Sequence, residues 1–238
     1  MSKLKTIIFD GVAAAWPICL GYIPIGLAFG VLAQKAGLGP LEIFFMSLLV
    51  FAGSSQFIAV SMLDCGAALT SIILTTFTVN LRHLLMSSAL AVYFTKSSRK
   101  KLSLLAYGVT DESFAVNYSR LKTGKWDIER SLVLNHSANM IWIISTVAGG
   151  FGGQFIPAGA FGIDYALPAM FICLLVFQFN GRKYLFVAML AGALAVLLSL
   201  ALPGNMYVVM ASMLAATCGT VLKRFFEKSS VKRKVNDQ

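Results

Sequence analysis

The sequence predicts an all-α integral membrane protein, a polytopic helical bundle of about seven (seven or eight) transmembrane segments, some of them broken or re-entrant. Of its 238 residues, 58% are apolar and only 13% are charged, whereas soluble domains have about 45–50% apolar and about 25% charged residues. Most of the 20 Lys and Arg residues lie in short clusters between long apolar runs, as in membrane proteins. This composition largely excludes a water-soluble enzyme, a disordered chain and a disulfide scaffold, and it argues against nucleic-acid binding.

Eight apolar segments account for most of the chain. Their approximate ranges are 12–33, 41–63, 66–94, 102–119, 132–151, 165–179, 184–202 and 206–222. A span needs about 20 apolar residues, or fewer where the bilayer thins, so the short segments six and eight are still long enough. The whole chain, 1–238, is expected to form a single transmembrane domain that ends in a basic cytoplasmic tail at 223–238.

The orientation follows from the enrichment of Lys and Arg in cytoplasmic loops. This rule places the tail and the stretch 120–130 inside, and the Lys- and Arg-free stretch 152–164 outside. The basic loop 96–101 is also expected inside, so segment four would be re-entrant or buried in protein rather than crossing. The result is seven crossings with the N-terminus outside. If segment four crosses instead, there are eight crossings, but five basic residues then lie outside.

Arg82 is the most informative polar residue, because it lies in the sequence Asn80-Leu81-Arg82-His83 near the middle of segment three. A cationic side chain at the bilayer centre costs about 2.5–3.5 kcal/mol. Either the helix breaks here or the polar cluster lines a cavity; the alternative is a static ion pair between helices. A guanidinium can bind both oxygens of a carboxylate, so Arg82, Asn80 and His83 are predicted to bind substrate.

The run Gly53, Ser54, Ser55 and Gln56 in the middle of segment two is the second candidate for substrate binding. Small and hydroxyl residues there allow local unwinding, and the freed backbone groups can hold an ammonium or a carboxylate. The alternative is close packing between helices through small residues.

Asp111, Glu112 and His136 are the candidates for ion coupling. Adjacent helical residues point about 100° apart, so one carboxylate can pair with Arg82 while the other titrates during transport. The alternative is that both lie on a wet cytoplasmic surface. His136 lies between Asn135 and Asn139 in segment five, where it could move protons or form a hydrogen bond between helices.

Four stretches together resemble the AzlC-type branched-chain amino acid permease family, the large subunit of the leucine, isoleucine and valine exporters. They are residues 24–30, 52–57, 80–85 and 110–112, and the resemblance extends from about Asp10 to Leu222. It implies export of branched-chain amino acids across the bacterial cytoplasmic membrane, together with a small AzlD-type membrane subunit.

The residues themselves indicate a helical transporter with a polar interior and leave other classes open. Without a Walker-type phosphate loop, the chain is expected to use an ion gradient, most simply protons. A non-transporting assembly or receptor subunit is one alternative, and an intramembrane enzyme is another. The sequence has no HExxH or GxSxG motif, so no enzymatic activity, cofactor or metal is expected.

Overall fold

The computed structural model describes residues 3–124, 126–156 and 182–201 continuously, and single positions between 162 and 219. The chain forms two compact units, Met1–Met170 and Phe171–Gln238. Helix α8 (Arg182–Ala201) of the second unit lies where segment seven is predicted. Segments six and eight, the stretch 152–164 and the basic tail lie wholly or largely outside the described residues.

Seven α-helices and one 3-10 turn form the described part of the first unit, which confirms the all-α class. They are α1 (Lys3–Lys35), α2 (Pro40–Leu49), α3 (Gly53–Asp64), α4 (Leu69–Ala91), the turn Val92–Phe94, α5 (Arg99–Tyr107), α6 (Asp111–Lys122) and α7 (Ile128–Gly153). Two candidate spans, Leu4–Lys35 and Leu69–Phe94, are long and apolar enough to cross a membrane. Segments two and four are each divided into two short helices.

Helices α1 and α7 pack side by side and run in the same direction. Arg130 Nε donates to Asp10 Oδ2 at 2.8 Å near the start of both helices, and Gly153 lies against Val31 near their ends. A Cβ on Gly30 would lie only 2.0 Å from the carbonyl oxygen of Thr146, so the backbones touch. The expected seven-crossing arrangement is wrong on this point, because it makes segments one and five antiparallel.

The first hairpin, α2–α3, explains that error. Ile43 lies beside Gly150, and Ser47 Oγ lies 2.8 Å from Thr146 Oγ1, so α2 runs back along α7. At residues 50–52, the first tip, the chain reverses and Phe51 adopts a φ of 36°. Helix α3 then returns antiparallel to α2, and its residues Ala59 and Met62 pack against Met46 and Ile72. Counting segment two as a crossing therefore placed the N-terminus on the wrong side relative to α7.

The second hairpin, α5–α6, approaches from the opposite end of α7. Lys101 Nζ lies 2.5 Å from Glu129 Oε1 near the start of α7, and Asn135 Nδ2 donates to the carbonyl of Leu105 at 3.3 Å. After the second tip, residues 108–110, helix α6 runs back, and Asn117 Nδ2 donates to Asn135 Oδ1 at 2.9 Å. Segment four thus turns back at its polar half, as its sequence predicts.

Helix α4 is continuous from Leu69 to Ala91, so the predicted alternative of a helix break at Arg82 is wrong. Its start lies beside the first hairpin, where Ile72 packs against Met62. Its end joins the second hairpin, where Leu90 packs in the same cluster as Leu105. Helix α4 therefore runs opposite to α1 and α7 and passes both tips.

Candidate functional site

The tips of the two hairpins meet beside the middle of α4. Tyr107, the last residue of α5, donates its hydroxyl to the carbonyl of Leu48 in α2. The rings of Phe51 and Tyr107 lie 6.2 Å apart. Helices α3 and α6 both begin at this point, so the first turns of two helices and one cationic side chain share a small region.

Arg82 joins the two tips. Its Nη1 lies 2.6 Å from Asp111 Oδ2, in the first turn of α6, and its Nη2 donates to Ser54 Oγ, in the first turn of α3. The side chains of Arg82 and Asp111 are 31% and 29% exposed. Arg82 Nε is buried and has no partner within the described part of the chain. The ion pair is the one that the structural alternative predicts, and the free Nε leaves one donor for a ligand.

His83 and Asn80 lie on α4 beside Arg82 but make different contacts. His83 Nδ1 lies 2.8 Å from the carbonyl oxygen of Val109 in the second tip. Its Nε2 and the Oδ1 of Asn80 are buried and lack partners among the described residues. The predicted cluster therefore contains three unused hydrogen-bonding atoms.

The predicted unwound stretch Gly53–Gln56 is helical, and the break lies just before it. These residues form the first turn of α3, and the N-cap residue Ala52 provides no side-chain hydrogen bond. Ser55 Oγ donates to the carbonyl of Ala52 at 2.9 Å. The Gln56 amide accepts from Trp142 Nε1 at 3.0 Å and donates to Ser47 Oγ at 3.2 Å. Gln56 thus holds the first hairpin to α7, and Ser54 is the member of this stretch that contacts Arg82.

Asp111 and Glu112 have separate partners, as their adjacent positions require. Asp111 pairs with Arg82, whereas Glu112 Oε2 accepts a hydrogen bond from the Tyr22 hydroxyl at 2.8 Å. The Tyr22 hydroxyl also lies 2.8 Å from Thr110 Oγ1. Helix α1 therefore contacts the second tip through a buried tyrosine.

His136 is not brought into this cluster. Its Nδ1 bonds to the carbonyl oxygen of Leu132 in its own helix at 2.8 Å. Its ring lies 6.3 Å from the ring of Tyr107. The flanking asparagines hold the second hairpin instead: Asn135 bonds to Asn117, and Asn139 Nδ2 donates to the Tyr107 hydroxyl at 3.3 Å.

Sequence reasoning missed the residues that hold the tips in place, chiefly Tyr22, Tyr107 and Trp142. An aromatic residue in an apolar run gives no sign that its polar atom has a partner. Thr110 did leave a signal, because Thr-x-x-Ser before a helix is a capping pattern. Its side chain caps α6 by accepting from the backbone of Ser113. No group of three His, Cys, Asp or Glu side chains suited to a metal occurs among the described residues.

Known proteins resemble this chain over most of its length. The AzlC protein family matches residues 17–156, which is more than half of the chain and includes both hairpins and every candidate site residue. The inner membrane protein YgaZ of Escherichia coli is 34% identical over 194 residues, which are 78% of this chain and 79% of that protein.

Two further relatives cover more of the chain. The branched-chain amino acid transport protein AzlC of Bacillus subtilis is 27% identical over 219 residues, 90% of this chain and 85% of that protein. An uncharacterized membrane protein of Helicobacter pylori is 31% identical over 211 residues, 87% of this chain and 90% of that protein. No solved structure matches.

Proposed function

This chain belongs to the AzlC family, and on that premise we propose that it is a secondary transporter that exports branched-chain amino acids across the bacterial cytoplasmic membrane. It is a membrane protein, as its relatives are named, and two of its described helices are long and apolar enough to cross a membrane. One relative is named as a branched-chain amino acid transport protein and another as an inner membrane protein. A small AzlD-type membrane subunit is part of the proposal and comes from the resemblance.

The observation that carries the proposal is Arg82, which lies between two helix N-termini inside a membrane protein. Broken helices whose N-termini point at an anionic group are a recurring way to bind substrates at the bilayer midplane. The first turn of α6 contains two acidic residues, whereas that of α3 contains none. The substrate carboxylate is therefore expected between Arg82 Nε and the uncapped start of α3.

Ion coupling is assigned to the acidic side of the site. Asp111 is engaged by Arg82, which leaves Glu112, held by the Tyr22 hydroxyl, as the better candidate for binding a proton during the cycle. Carboxylates inside membrane proteins commonly act in proton relays. His136 lies apart from this cluster and is proposed to take no direct part in it.

The topology is proposed to comprise six crossings with both termini inside. Helices α1, α4 and α7 cross the membrane, and the two hairpins enter it from opposite faces. Segments six to eight cross as the sequence predicts. This arrangement places Lys3, Lys5 and the basic stretches 96–101 and 120–130 on one side. Only Lys35 then violates the enrichment of positive charge inside, which is fewer violations than with seven or eight crossings.

Arg82 provides the test of the proposed function. Arg82→Lys keeps the charge but loses the planar fork, so we expect binding of labelled leucine and its flux in proteoliposomes to fall at least tenfold while the protein stays folded. The control is Arg99→Lys, because Arg99 is an exposed residue at the start of α5. Flux is measured with and without the small subunit.

A purely structural role for Arg82 predicts a different result. Arg82→Ala would then lower the melting temperature in detergent without changing leucine affinity in the protein that remains folded. That outcome, or unchanged flux in Arg82→Lys, would exclude Arg82 as the carboxylate ligand.

A further inference from the structure

Helix α4 presents two buried hydrogen-bond acceptors that lack donors within the described residues. They are Asn80 Oδ1 and His83 Nε2. The His83 tautomer follows from geometry, because its Nδ1 lies 2.8 Å from the carbonyl oxygen of Val109. A carbonyl oxygen can only accept, so Nδ1 carries the hydrogen, and the Nε2 of a neutral imidazole is then an acceptor.

The two acceptors come from one face of α4. Positions 80 and 83 are three residues apart in a continuous helix and therefore lie on one face. Neither acceptor can satisfy the other, and an unsatisfied buried polar atom is costly. The remaining unpartnered atom of this cluster, Arg82 Nε, is a donor. Within four residues, α4 thus combines one unused donor with two unused acceptors.

We propose that Asn80 and His83 bind the ammonium group of the transported amino acid. An ammonium has three hydrogen-bond donors and no acceptor, which complements Asn80 Oδ1 and His83 Nε2. Arg82 Nε supplies a donor for the carboxylate of the same molecule. The inference rests on the proposed function and gives it a chemical requirement: the ligand carries both an α-ammonium and an α-carboxylate.

A metal cation fits this pair less well than an ammonium. Hard cations take oxygen ligands, and here one of the two acceptors is an imidazole nitrogen. Neither residue contributes a charge to offset that of an ion, whereas an amino acid brings its own carboxylate.

The test distinguishes recognition of the substrate's ammonium group from recognition of its carboxylate. Purified protein is loaded with labelled leucine, which is displaced by valine, by 3-methylbutanoate (valine without its amino group) or by 2-methylpropylamine (valine without its carboxylate). Asn80→Leu removes the acceptor with little change of shape. His83→Asn keeps a donor close to the position of Nδ1 and removes Nε2. His136→Asn is the matched control, because His136 Nδ1 also bonds to a carbonyl at 2.8 Å but lies on α7.

In the unmodified protein, valine is expected to compete at least about tenfold better than 3-methylbutanoate, since a hydrogen bond to a charged group contributes that much or more. In Asn80→Leu and His83→Asn this preference is lost, because the binding of valine weakens and that of 3-methylbutanoate does not. His136→Asn retains it. Asn80→Asp, which keeps an acceptor and adds a negative charge, is expected to increase the preference for valine.

Two results would overturn the inference and leave the proposed function standing. One is equal weakening of valine and 3-methylbutanoate in variants that remain folded by size exclusion and melting temperature. The other is an unchanged preference for valine combined with an altered dependence of binding on sodium, which would assign the acceptors to a cation. If the unmodified protein binds no branched-chain amino acid, the proposed function itself fails.

Discussion

The two hairpins share one construction but differ in charge. Each consists of two short helices that turn beside α4 and are held to α7 by buried hydrogen bonds. The first hairpin has an uncapped α3 whose opening residues are Gly53 and Ser54. The second has an α6 capped by Thr110 and opening with Asp111 and Glu112.

This difference gives the two tips different electrostatic environments. The uncapped amides and the positive end of the helix dipole at α3 favour an anion. At α6 the same positive end already faces two carboxylates, and Thr110 satisfies one of its amides. In the proposed function, the first tip receives the substrate carboxylate, and the carboxylates of the second tip are the proposed proton carriers. Arg82 contacts both and is placed to respond to either.

The largest expected effect concerns the face of the membrane from which each hairpin enters. It is all-or-none, because a cysteine either is or is not accessible from outside the cell. Cys65, an exposed free cysteine after α3, and a cysteine at Lys35 should react with an impermeant reagent applied outside intact cells. Cysteines at Lys96 and Thr123, beside the second hairpin, should react only after permeabilisation. Each is tested with every other cysteine replaced by serine. Cys65 and a cysteine at Lys35 on opposite sides would mean that segment two crosses the membrane.

The next largest effect is expected at the α1–α7 contact, which supports both hairpins at once. Gly30→Ala would place a Cβ 2.0 Å from the Thr146 carbonyl oxygen. Because backbone atoms cannot move away at low cost, we expect the free energy of unfolding to fall by more than the usual cost of overpacking, about 1–3 kcal/mol. Folded yield in mild detergent should collapse. Gly21→Ala is the control, because no atom lies within 4 Å of the position that its new methyl group would take. Equal yields for the two variants would contradict the close packing.

Replacing either of two buried amide side chains, Asn135 or Gln56, should loosen one hairpin. Asn135→Leu leaves Asn117 Nδ2 without its acceptor, at about 1–3 kcal/mol, whereas the Leu105 carbonyl keeps its bond from the Gly108 amide. Gln56→Leu is expected to cost a similar amount, because it leaves Trp142 Nε1 without its acceptor while Ser47 keeps its bond to Thr146. Hydrogen exchange should rise in α5–α6 for Asn135→Leu and in α2–α3 for Gln56→Leu. Faster exchange in both hairpins from either substitution would show that they do not open independently.

The smallest effects concern the caps. Thr110→Val removes the cap of α6 and should cost about 1 kcal/mol, seen as a lower melting temperature. Ala52→Ser offers α3 the cap that it lacks, so the melting temperature should rise slightly while leucine binding weakens, because an amide needed by the carboxylate is occupied. Stronger or unchanged leucine binding in Ala52→Ser would argue against the first tip as the anion site.

Several features of this protein could be predicted from local sequence. The low charge and long apolar runs predict a helical membrane protein, because each apolar segment in lipid must satisfy its own backbone N–H and C=O groups, as a helix does. Arg82 and the pair Asp111 and Glu112 stand out because charge in an apolar run is costly wherever it lies. The turn within segment four also follows from sequence, since basic residues flank it and its second half is polar.

Other features depend on contacts between residues far apart in the chain. Segment two reads as one apolar span, and only its packing against α4 and α7 shows that it turns back at Phe51 and reverses the direction assigned to α1. The role of Gln56 as a support, the exclusion of His136 and the partners of Tyr22 likewise depend on which helices lie alongside. Apolar periodicity is the same for a helix that crosses and for one that returns, so tertiary structure alone decides between them.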